Sequence, residues 1–321
     1  MFNFDIETTK ETTEFDTVQL WDFLIIGGGP AGLNAGLYAK RKGLKVGIIA
    51  VDIGGQLHNT TDVDNYLGFS LVQGKELSDS FLKHVTDLDV PILKQTRVTA
   101  ISKFDAGFLV KTDKFQDFRT KTLLISTGGQ PRKLRIPGEK EFANKGVSYC
   151  TICDAPFFKD KHVIVAGGGN SAAESVLDLV PWAKKITVVH RSQWRADKIL
   201  LDKLDKLDNL DIHLQTQILE IIGDEKMTGL RVLDKTTNEE RVISADGLFI
   251  EIGTVPNSKF VEGFVKMNDN NEILVDDQQM TSVEGVFAAG DITLQPYKQI
   301  IISAAEGAKA ALAAMTYLNH K

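Results

Sequence analysis

The sequence predicts an α/β protein built from two Rossmann-like βαβ domains. The apolar run from Phe23 to Ile26 leads into a glycine-rich turn, then a helix with small residues on one face, then a second apolar run from Val46 to Ile49. Strand, helix and strand in this order form a βαβ unit. A second unit of the same kind begins 140 positions later, counted from Gly27 to Gly167. This duplication indicates two domains of related topology.

Composition limits the classes of function. Of the 321 residues, 43% are hydrophobic and 25% are charged, as in ordinary soluble globular proteins. The net charge of −6 gives no reason to expect binding to nucleic acid or to an anionic membrane. The apolar runs are far shorter than the ~20 residues of a membrane helix, and the acidic N-terminal stretch does not resemble a secretory signal. With only two cysteines, the chain is expected in a reducing cytoplasm.

The first glycine loop is Gly27-x-Gly29-x-x-Gly32, placed between a strand and a helix. Glycines at this spacing allow a tight turn, a close approach of the backbone to a pyrophosphate, and close packing of the helix on the strand. The helix N-terminus adds free N–H groups for phosphate oxygens. Asp52, which lies 20 residues beyond Gly32, is either a ribose-binding acid or a plain loop acid, since "AVDIGGQL" can already have left the strand.

The second glycine loop is Gly167-x-Gly169-x-x-Ala172 and ends in alanine. Its second strand is followed by Arg191 and, four residues on, Arg195, with no acid at the strand end. A carboxylate at this place favours the 2′-hydroxyl of NAD(H), whereas a cation accommodates the 2′-phosphate of NADP(H). The arginines therefore favour NADP(H), unless they are only solvated residues, and the histidine before them could simply cap the strand. The nucleotide-binding candidates are Gly167, Gly169, Asn170, Ser171, Ala172, His190, Arg191 and Arg195.

Both cysteines stand in "YCTICDAP", as Cys150 and Cys153. A structural zinc site needs about four ligands, mostly Cys and His, and this pair supplies two. A permanent bridge across two residues would constrain little chain entropy and would be unusual in a reducing cell. Reversible thiol–disulfide exchange fits best, with one thiol attacking and the other resolving. Asp154 is either the acid–base group of that exchange or a helix N-cap or solvated acid.

The combination of these features suggests an electron path. A dithiol does not take a hydride from nicotinamide efficiently, whereas a flavin accepts two electrons as hydride and passes them to a disulfide. Two dinucleotide loops and one CxxC pair therefore predict transfer from a pyridine nucleotide to FAD and then to a disulfide. A flavin-bearing redox sensor is the alternative class, and the second loop with its arginines argues against it.

The chain as a whole resembles the low-molecular-weight thioredoxin reductases and is similar to the flavoprotein portion of bacterial alkyl hydroperoxide reductase F subunits. The resemblance rests on motifs that are specific in combination: "GGGPAG", "GGQL", "VDNYLGF", "STGGQPRKLRIPGE", "CTICD", "GGGNSA", "IGTVPN" and "GVFAAGDI". It implies two nucleotide-binding domains of the three-layer ββα type, the second inserted into the first. The implied parts are an N-terminal extension 1–20, an FAD domain of 21–121 and 250–321, and an NAD(P)H domain of 122–249 that carries the CxxC.

The resemblance also implies roles for single residues. Cys153 resembles the thiol that meets the flavin, Cys150 the thiol that attacks the protein substrate, and Asp154 the group that moves the proton. The residues implied to hold FAD are Gly27, Gly29, Pro30, Ala31, Gly32, Asp52, Gly55, Gln56, Asn65, Thr127, Gly128, Gly290, Asp291 and Gln299. The family further implies a homodimer, thioredoxin or a similar small redoxin as partner, and a rotation between the domains.

Three departures from the family pattern bear on these expectations. The family's phosphate-binding run is His-Arg-Arg, three residues and a further Arg, whereas "HRSQWRAD" has Ser192 after Arg191. NADPH is the expected donor, with NADH or ferredoxin as alternatives, and another redoxin or a peroxiredoxin system is the alternative partner. Ala155 replaces the usual glycine, a small change that leaves the chemistry intact. The first twenty residues precede the usual start and have no assigned role.

Overall fold

The computed structural model describes residues 15–60, 62–105 and 107–321. By their internal contacts, the residues form two units. Of the described residues, the first unit comprises those up to Asp62, Tyr66–Gly129 and Pro256–Lys321, and the second comprises Val63–Asn65 and Gln130–Val255. The main divisions fall at 129/130 and 255/256, several residues beyond the expected 121/122 and 249/250. The expected divisions fall inside the strands at residues 117–125 and 247–250.

Strands and helices alternate through both units. The strands are β1 (Leu20–Gly28), β2 (Val46–Ile53), β3 (Asp62–Val63), β4 (Val72–Gln73), β5 (Ile92–Leu93), β6 (Val98–Phe104), β7 (Gly107–Thr112), β8 (Asp117–Ile125), β9 (Gly129–Pro131), β10 (Val147–Ser148), β11 (His162–Ala166), β12 (Lys185–Val189), β13 (Leu210–His213), β14 (Thr216–Gly223), β15 (Met227–Asp234), β16 (Glu239–Ser244), β17 (Gly247–Ile250), β18 (Thr254–Pro256) and β19 (Val286–Ala288). The α-helices are α1 (Pro30–Arg41), α2 (Gly74–Thr86), α3 (Thr151–Asp154), α4 (Asn170–Leu179), α5 (Lys198–Leu204) and α6 (Ile300–Asn319), and 3₁₀ turns occupy Gly55–Asn59, Ala155–Phe158 and Lys259–Val261. In the described part of the chain, no helix has the length and apolar character needed to cross a membrane.

The first unit is built around a seven-stranded sheet. Its strands β5, β2, β1 and β8 are parallel neighbours, β19 pairs with the end of β8, and β7 and β6 continue as an antiparallel pair. Side chains of β1 alternate between two cores, as the period of a strand requires. Phe23 and Ile25 pack with residues of α1 and α6, whereas Leu24 and Ile26 pack with Phe108 of β7.

The second unit repeats this arrangement. Its five-stranded sheet has the order β10-β17-β11-β12-β13 and is parallel throughout, and a separate antiparallel sheet has the order β14-β15-β16. On β11, Val163 and Val165 pack against α4, whereas Ile164 and Ala166 pack against Leu230 of β15. In each unit, side chains on one face of the parallel strands thus pack with helices, and those on the other face pack with residues of antiparallel strands. The predicted α/β class with two Rossmann-like domains of the ββα type is confirmed.

The segment expected to be an N-terminal extension is packed at its end. Residues 1–14 lie outside the described residues. Phe15 stacks on Trp21 with ring centroids 4.8 Å apart and meets Phe118 edge-on at 5.2 Å. Such aromatic pairs add to the stabilisation that comes from burial. Phe15 therefore packs against the core of the first unit, a contact that the polar composition of the segment conceals, whereas residues 16–18 and Leu20 are exposed.

Candidate functional site

The first glycine loop leaves an open cradle at the start of α1. Gly27 has a φ of +121°, and a Cβ at this position would lie 2.2 Å from the carbonyl oxygen of Ser126, so the turn requires glycine. Gly29 is the N-cap of α1 and, apart from its chain neighbours, no described residue lies within 4 Å of the place where its Cβ would stand. The first N–H groups of α1 therefore face space that suits a phosphate.

The end of β2 and the turn after it meet this loop. Asp52 lies on β2, exposed near the carboxyl end of the strand, the place from which an acid can reach a ribose. The N–H of Gly54 donates to the carbonyl of Gly28 at 2.8 Å. This bond brings Gly55 next to Gly29, since a Cβ on Gly55 would lie 3.7 Å from the Cα of Gly29. The strand assignment favours the ribose-binding interpretation of Asp52 over that of a plain loop acid.

The chain after β19 borders the same loop. A Cβ on Gly290 would lie 3.2 Å from the Cβ of Ala31, and the Gly290 N–H donates to the Glu306 carboxylate at 2.7 Å. Asp291 is largely buried and accepts a hydrogen bond of 3.0 Å from the Ser303 hydroxyl. Burial raises the pKa of both Asp291 and Glu306. A ligand at this place would thus meet two carboxyl groups that hold protons more tightly than exposed acids do.

Asn257 holds the loop after β8 in place. Its N–H donates to the Gly128 carbonyl at 2.9 Å, its side-chain amide donates to the Thr127 carbonyl at 2.8 Å, and the Thr127 hydroxyl donates to the Asn257 carbonyl at 3.0 Å. The Gln56 side chain donates to the Gly129 carbonyl. Asn257 stands in the motif "IGTVPN", but nothing in the sequence reveals that it acts on a loop 130 positions away.

Of the fourteen residues expected to hold FAD, thirteen lie in the first unit. Among them, Pro30 opens α1 and Gln299 is the N-cap of α6. Asn65 is exposed and belongs to the short segment Val63–Asn65, which groups with the second unit. The candidates around α1, β2, β8 and β19 therefore belong to one unit.

The second glycine loop has an open cradle of the same kind. Gly169 is the N-cap of α4 and, chain neighbours aside, none of the described residues comes within 4 Å of its Cβ position. Ala172 is fully buried, and its Cβ lies 2.8 Å from the place where a Cβ on Gly167 would stand. Asn170 and Ser171 are exposed in the first turn of the helix. The N-terminus of α4 can thus receive a phosphate as that of α1 can.

His190 lies beneath the second loop, away from its open side. A Cβ on Gly168 would lie 2.2 Å from the His190 ring, and the residue is only 6% exposed. Its Nε2 is 3.0 Å from the Ser192 hydroxyl. Burial, together with the charges of Arg195 and Arg191, lowers the pKa of His190. The histidine is therefore neutral near pH 7 and supports the loop from below.

Arg191 and Arg195 lie exposed beside the second loop. The N–H of Arg195 donates to the Gly168 carbonyl at 2.7 Å. Asn170 and Asp197 exchange two hydrogen bonds of 2.8 Å, which fix the segment after β12 to the start of α4. Neither guanidinium is ion-paired to a carboxylate within the described residues. Two unneutralised cations therefore stand near the cradle, where a phosphate would be bound.

Cys150 and Cys153 form a disulfide at the start of α3. Cys150 is the N-cap of this helix, and its Sγ accepts a hydrogen bond from the N–H of Cys153 at 3.3 Å. The Cys150 N–H donates to the Ser148 hydroxyl at 3.1 Å. Asp154 ends α3, and its side chain does not cap the 3₁₀ turn that follows. Among the residues described, no group of three or more His, Cys, Asp or Glu side chains could hold a metal ion.

Two carboxyl groups bind the residues on either side of Cys150 in the chain: Glu139 ends the motif "STGGQPRKLRIPGE", and Glu251 stands in none of the motifs. Glu139, only 5% exposed, accepts the hydroxyl of Tyr149 at 2.9 Å, and burial followed by this bond raises the pKa of Tyr149. Glu251 accepts the hydroxyl of Thr151 at 2.9 Å, and that hydroxyl also shares a short hydrogen bond with Ser175. No local pattern predicts these two contacts: Tyr149 lies 10 positions from Glu139, and Thr151 lies 100 positions from Glu251.

The sequence from residue 21 to 312 matches the family described as pyridine nucleotide-disulphide oxidoreductase. The chain belongs to this family. The resemblance found in the sequence is thereby confirmed at the level of the family. Membership implies FAD and a pyridine nucleotide as cofactors. The two open cradles at Gly29 and Gly169 fit the pyrophosphates of two dinucleotides, because no described residue fills the space beside the N-cap of either helix.

This pyridine nucleotide-disulphide oxidoreductase is similar to thioredoxin reductases and to alkyl hydroperoxide reductase F subunits. Thioredoxin reductase structures from Streptococcus pyogenes MGAS5005 and Giardia duodenalis are 36% and 33% identical, with TM-scores of 0.89 and 0.88. Each alignment covers 94% of this chain, and 99% and 100% of the other. The alkyl hydroperoxide reductase F subunits of Staphylococcus epidermidis and Staphylococcus aureus are 40% identical over 312 residues, which is 97% of this chain. The chain spans 62% of the length of these curated relatives.

Proposed function

We propose that the chain is a thioredoxin-disulfide reductase that passes electrons from NADPH through FAD and the Cys150–Cys153 pair to thioredoxin. The observation that carries the proposal is the disulfide at the start of α3, in the same unit as an open nucleotide cradle. The first cradle, in the other unit, supplies a second dinucleotide site. When bound, FAD takes two electrons from nicotinamide as hydride and supplies them to the disulfide.

The surroundings of the pair support separate roles for the two sulfurs. Reduction breaks the Sγ–Sγ bond and leaves a thiol and a thiolate. The Sγ of Cys150 already accepts the Cys153 N–H at the start of a helix, which stabilises a thiolate and makes Cys150 the better nucleophile. Its attack on the thioredoxin disulfide forms a mixed disulfide, and Cys153 resolves it, restoring the protein disulfide and releasing reduced thioredoxin. Asp154 is the proposed group that moves protons to and from these sulfurs.

NADPH is the proposed donor because Arg191 and Arg195 are exposed without carboxylate partners among the described residues. A cation pair at the end of the second strand suits a 2′-phosphate. Ser192, which takes the place of a second consecutive arginine, hydrogen-bonds to His190 inside the loop. NADH and ferredoxin are the competing donors.

A second candidate acceptor is a peroxiredoxin system, and the 40% identity to alkyl hydroperoxide reductase F subunits favours it. The path of electrons up to Cys150 is the same in both cases, and only the disulfide that Cys150 attacks differs. The proposal also includes a reducing cytoplasm as the location of the chain and a homodimer as its assembly. Light scattering after gel filtration tests for the dimer.

The test is an anaerobic titration of the flavin-loaded chain with NADPH, NADH or reduced ferredoxin, followed by addition of oxidised thioredoxin or peroxiredoxin. We expect NADPH to bleach the flavin and thioredoxin to restore its colour. Cys150→Ser should still allow bleaching but should lose turnover with either protein disulfide. A flavin that stays oxidised under saturating NADPH overturns the donor assignment, and a Cys150→Ser variant that still reduces thioredoxin overturns the roles of the cysteines.

A further inference from the structure

Glu251 connects the redox-active turn to the second nucleotide loop. It follows β17, which lies between β10 and β11 in the parallel sheet. Cys150 follows β10, and Gly167 follows β11, so the three residues lie in sheet order along one edge. The Glu251 N–H donates to the Ala166 carbonyl at 2.8 Å, and a Cβ on Gly167 would lie 2.2 Å from the Glu251 carbonyl oxygen. The main chain of Glu251 thus packs against the loop.

The side chain of Glu251 holds the residue next to Cys150. Its Oε1 accepts the hydroxyl of Thr151 at 2.9 Å, and the carboxylate also accepts the Thr151 N–H. The Thr151 hydroxyl in turn bonds to the hydroxyl of Ser175 on α4. We call Glu251, Thr151 and Ser175 the Glu251 cluster. Thr151 and Ser175 are 4% and 3% exposed, so the cluster fixes the first residue of α3 from inside the unit.

A carboxyl group is a costly way to make these contacts. A glutamine could accept the same two hydrogen bonds from Thr151 without the cost of burying a charge. What glutamate adds is a proton that can be gained and lost. Burial raises the pKa of Glu251 to about 7, and the charges of Asp178 and Glu174 on α4 oppose its ionisation further. On α3 it faces Thr151, which is adjacent to Cys150.

We propose that Glu251 is a positioning residue whose proton uptake is coupled to reduction of the Cys150–Cys153 disulfide. The coupling rests on the proposed function, which supplies the electrons. Two electrons and one proton convert the disulfide into a thiol and a thiolate. The new negative charge, one residue from the Glu251 cluster, favours the neutral carboxyl, and Glu251 then binds a further proton from solvent. Reduction is therefore easier while Glu251 is protonated and harder once it has lost its proton.

The experiment measures the equilibrium between disulfide and dithiol in the full flavin-loaded chain. Protein is equilibrated with dithiothreitol buffers between about pH 6 and about pH 9, and free thiols are then alkylated. Mass spectrometry gives the fraction of protein with alkylated cysteines. We compare wild type with Glu251→Gln, so that the pH dependence of the buffer cancels. As the pH rises across this range, the reduction constant of wild type divided by that of Glu251→Gln should fall by about tenfold. This change corresponds to about 30 mV for two electrons. Glu139→Gln changes the carboxyl that binds Tyr149, the residue before Cys150. This variant should show the same pH-dependent fall in the reduction constant, relative to Glu251→Gln, as wild type does.

Thr151→Val provides an independent variant should Glu251→Gln fold poorly. It removes the hydroxyl bond that favours the ionised carboxylate, so the step should move to higher pH. The coupling is refuted when the wild-type and Glu251→Gln profiles run parallel, or when Thr151→Val leaves the step in place. A pair that no dithiothreitol buffer can reduce would instead refute the proposed function, so the two failures are distinguishable.

Discussion

Gly29→Ala is expected to separate flavin binding from folding. Gly29 has φ −80° and ψ −176°, a conformation that alanine adopts freely. Its added methyl would meet none of the described residues within 4 Å except its chain neighbours. The free energy of unfolding of the apoprotein should therefore fall by no more than about 1 kcal/mol, the usual cost of alanine at an N-cap. In the loaded protein the same methyl would occupy the space that a pyrophosphate needs.

The loss of affinity follows from the size of this clash. Forcing a methyl into a filled site typically costs about 1–3 kcal/mol, which corresponds to a rise of about 5- to 150-fold in the Kd for FAD. The assay is a titration of apoprotein with FAD, followed by flavin fluorescence. Thermal unfolding of the apoprotein, measured in parallel, shows whether the methyl has disturbed the fold itself.

Two matched variants sharpen the test. Gly169→Ala places the same methyl in the second cradle, so it should weaken NADPH binding and leave the Kd for FAD unchanged. Gly32→Ala should instead lower the stability of the apoprotein, because its Cβ would lie 2.0 Å from the Gly27 carbonyl oxygen. Wild-type FAD affinity in Gly29→Ala, or equal loss of FAD affinity in both cradle variants, would refute the assignment of the first loop to FAD.

Three other contacts give predictions of their own. Arg195→Ala should raise the KM for NADPH about tenfold and leave that for NADH unchanged in steady-state assays, because a charged hydrogen bond to phosphate is worth about 1.5–3 kcal/mol. The folded-state pKa of Glu251 is raised from 4.5 to about 7, so its contribution to stability is present at low pH and lost as the pH rises through 7. At about pH 9, urea unfolding should therefore give Glu251→Gln a free energy of unfolding up to about 3 kcal/mol above that of wild type. Near pH 4 the two free energies should be equal. Phe15→Ala should cost about 1–3 kcal/mol in urea unfolding, because Phe15 forms aromatic pairs with Trp21 and Phe118 that are each worth about 0.5–1.5 kcal/mol; unchanged stability would show that the Phe15 contacts contribute nothing.

The sequence was most informative where chemistry depends on neighbours along the chain. The glycine spacings at Gly27 and Gly167 require a strand before them and a helix after them, so both cradles could be predicted from local pattern. The CxxC pair is equally local. The sequence leaves the role of Asp52 open because a strand end depends on pairing with another strand, and β2 extends through Asp52 beside β1. His190 has two interpretations in the sequence, a nucleotide-binding residue beside two arginines or a strand cap, and in the structure its ring packs against Gly168.

The residues that the sequence conceals are polar side chains whose contacts depend on the packing of separate elements. Glu139, Asn257 and Glu251 each form hydrogen bonds that no periodicity encodes, because the packing of whole elements decides which residues meet. Their roles become visible only from the order of strands in the sheet. There, Cys150, Glu251 and Gly167 follow three adjacent parallel strands, although β10 and β17 lie 100 positions apart in the chain.

This edge explains why one unit can combine a nucleotide loop with a disulfide. In open parallel sheets the loops at the carboxyl ends of the strands gather on one side, where ligands bind. The first unit uses that edge for the loops after β1, β2, β8 and β19, and the second uses it for those after β10, β11 and β17. A residue at the end of β17 must contact whatever lies on either side of it. The main chain of Glu251 contacts Ala166 and the nucleotide loop, and its carboxylate contacts Thr151 in the redox-active turn, so this one residue joins the two.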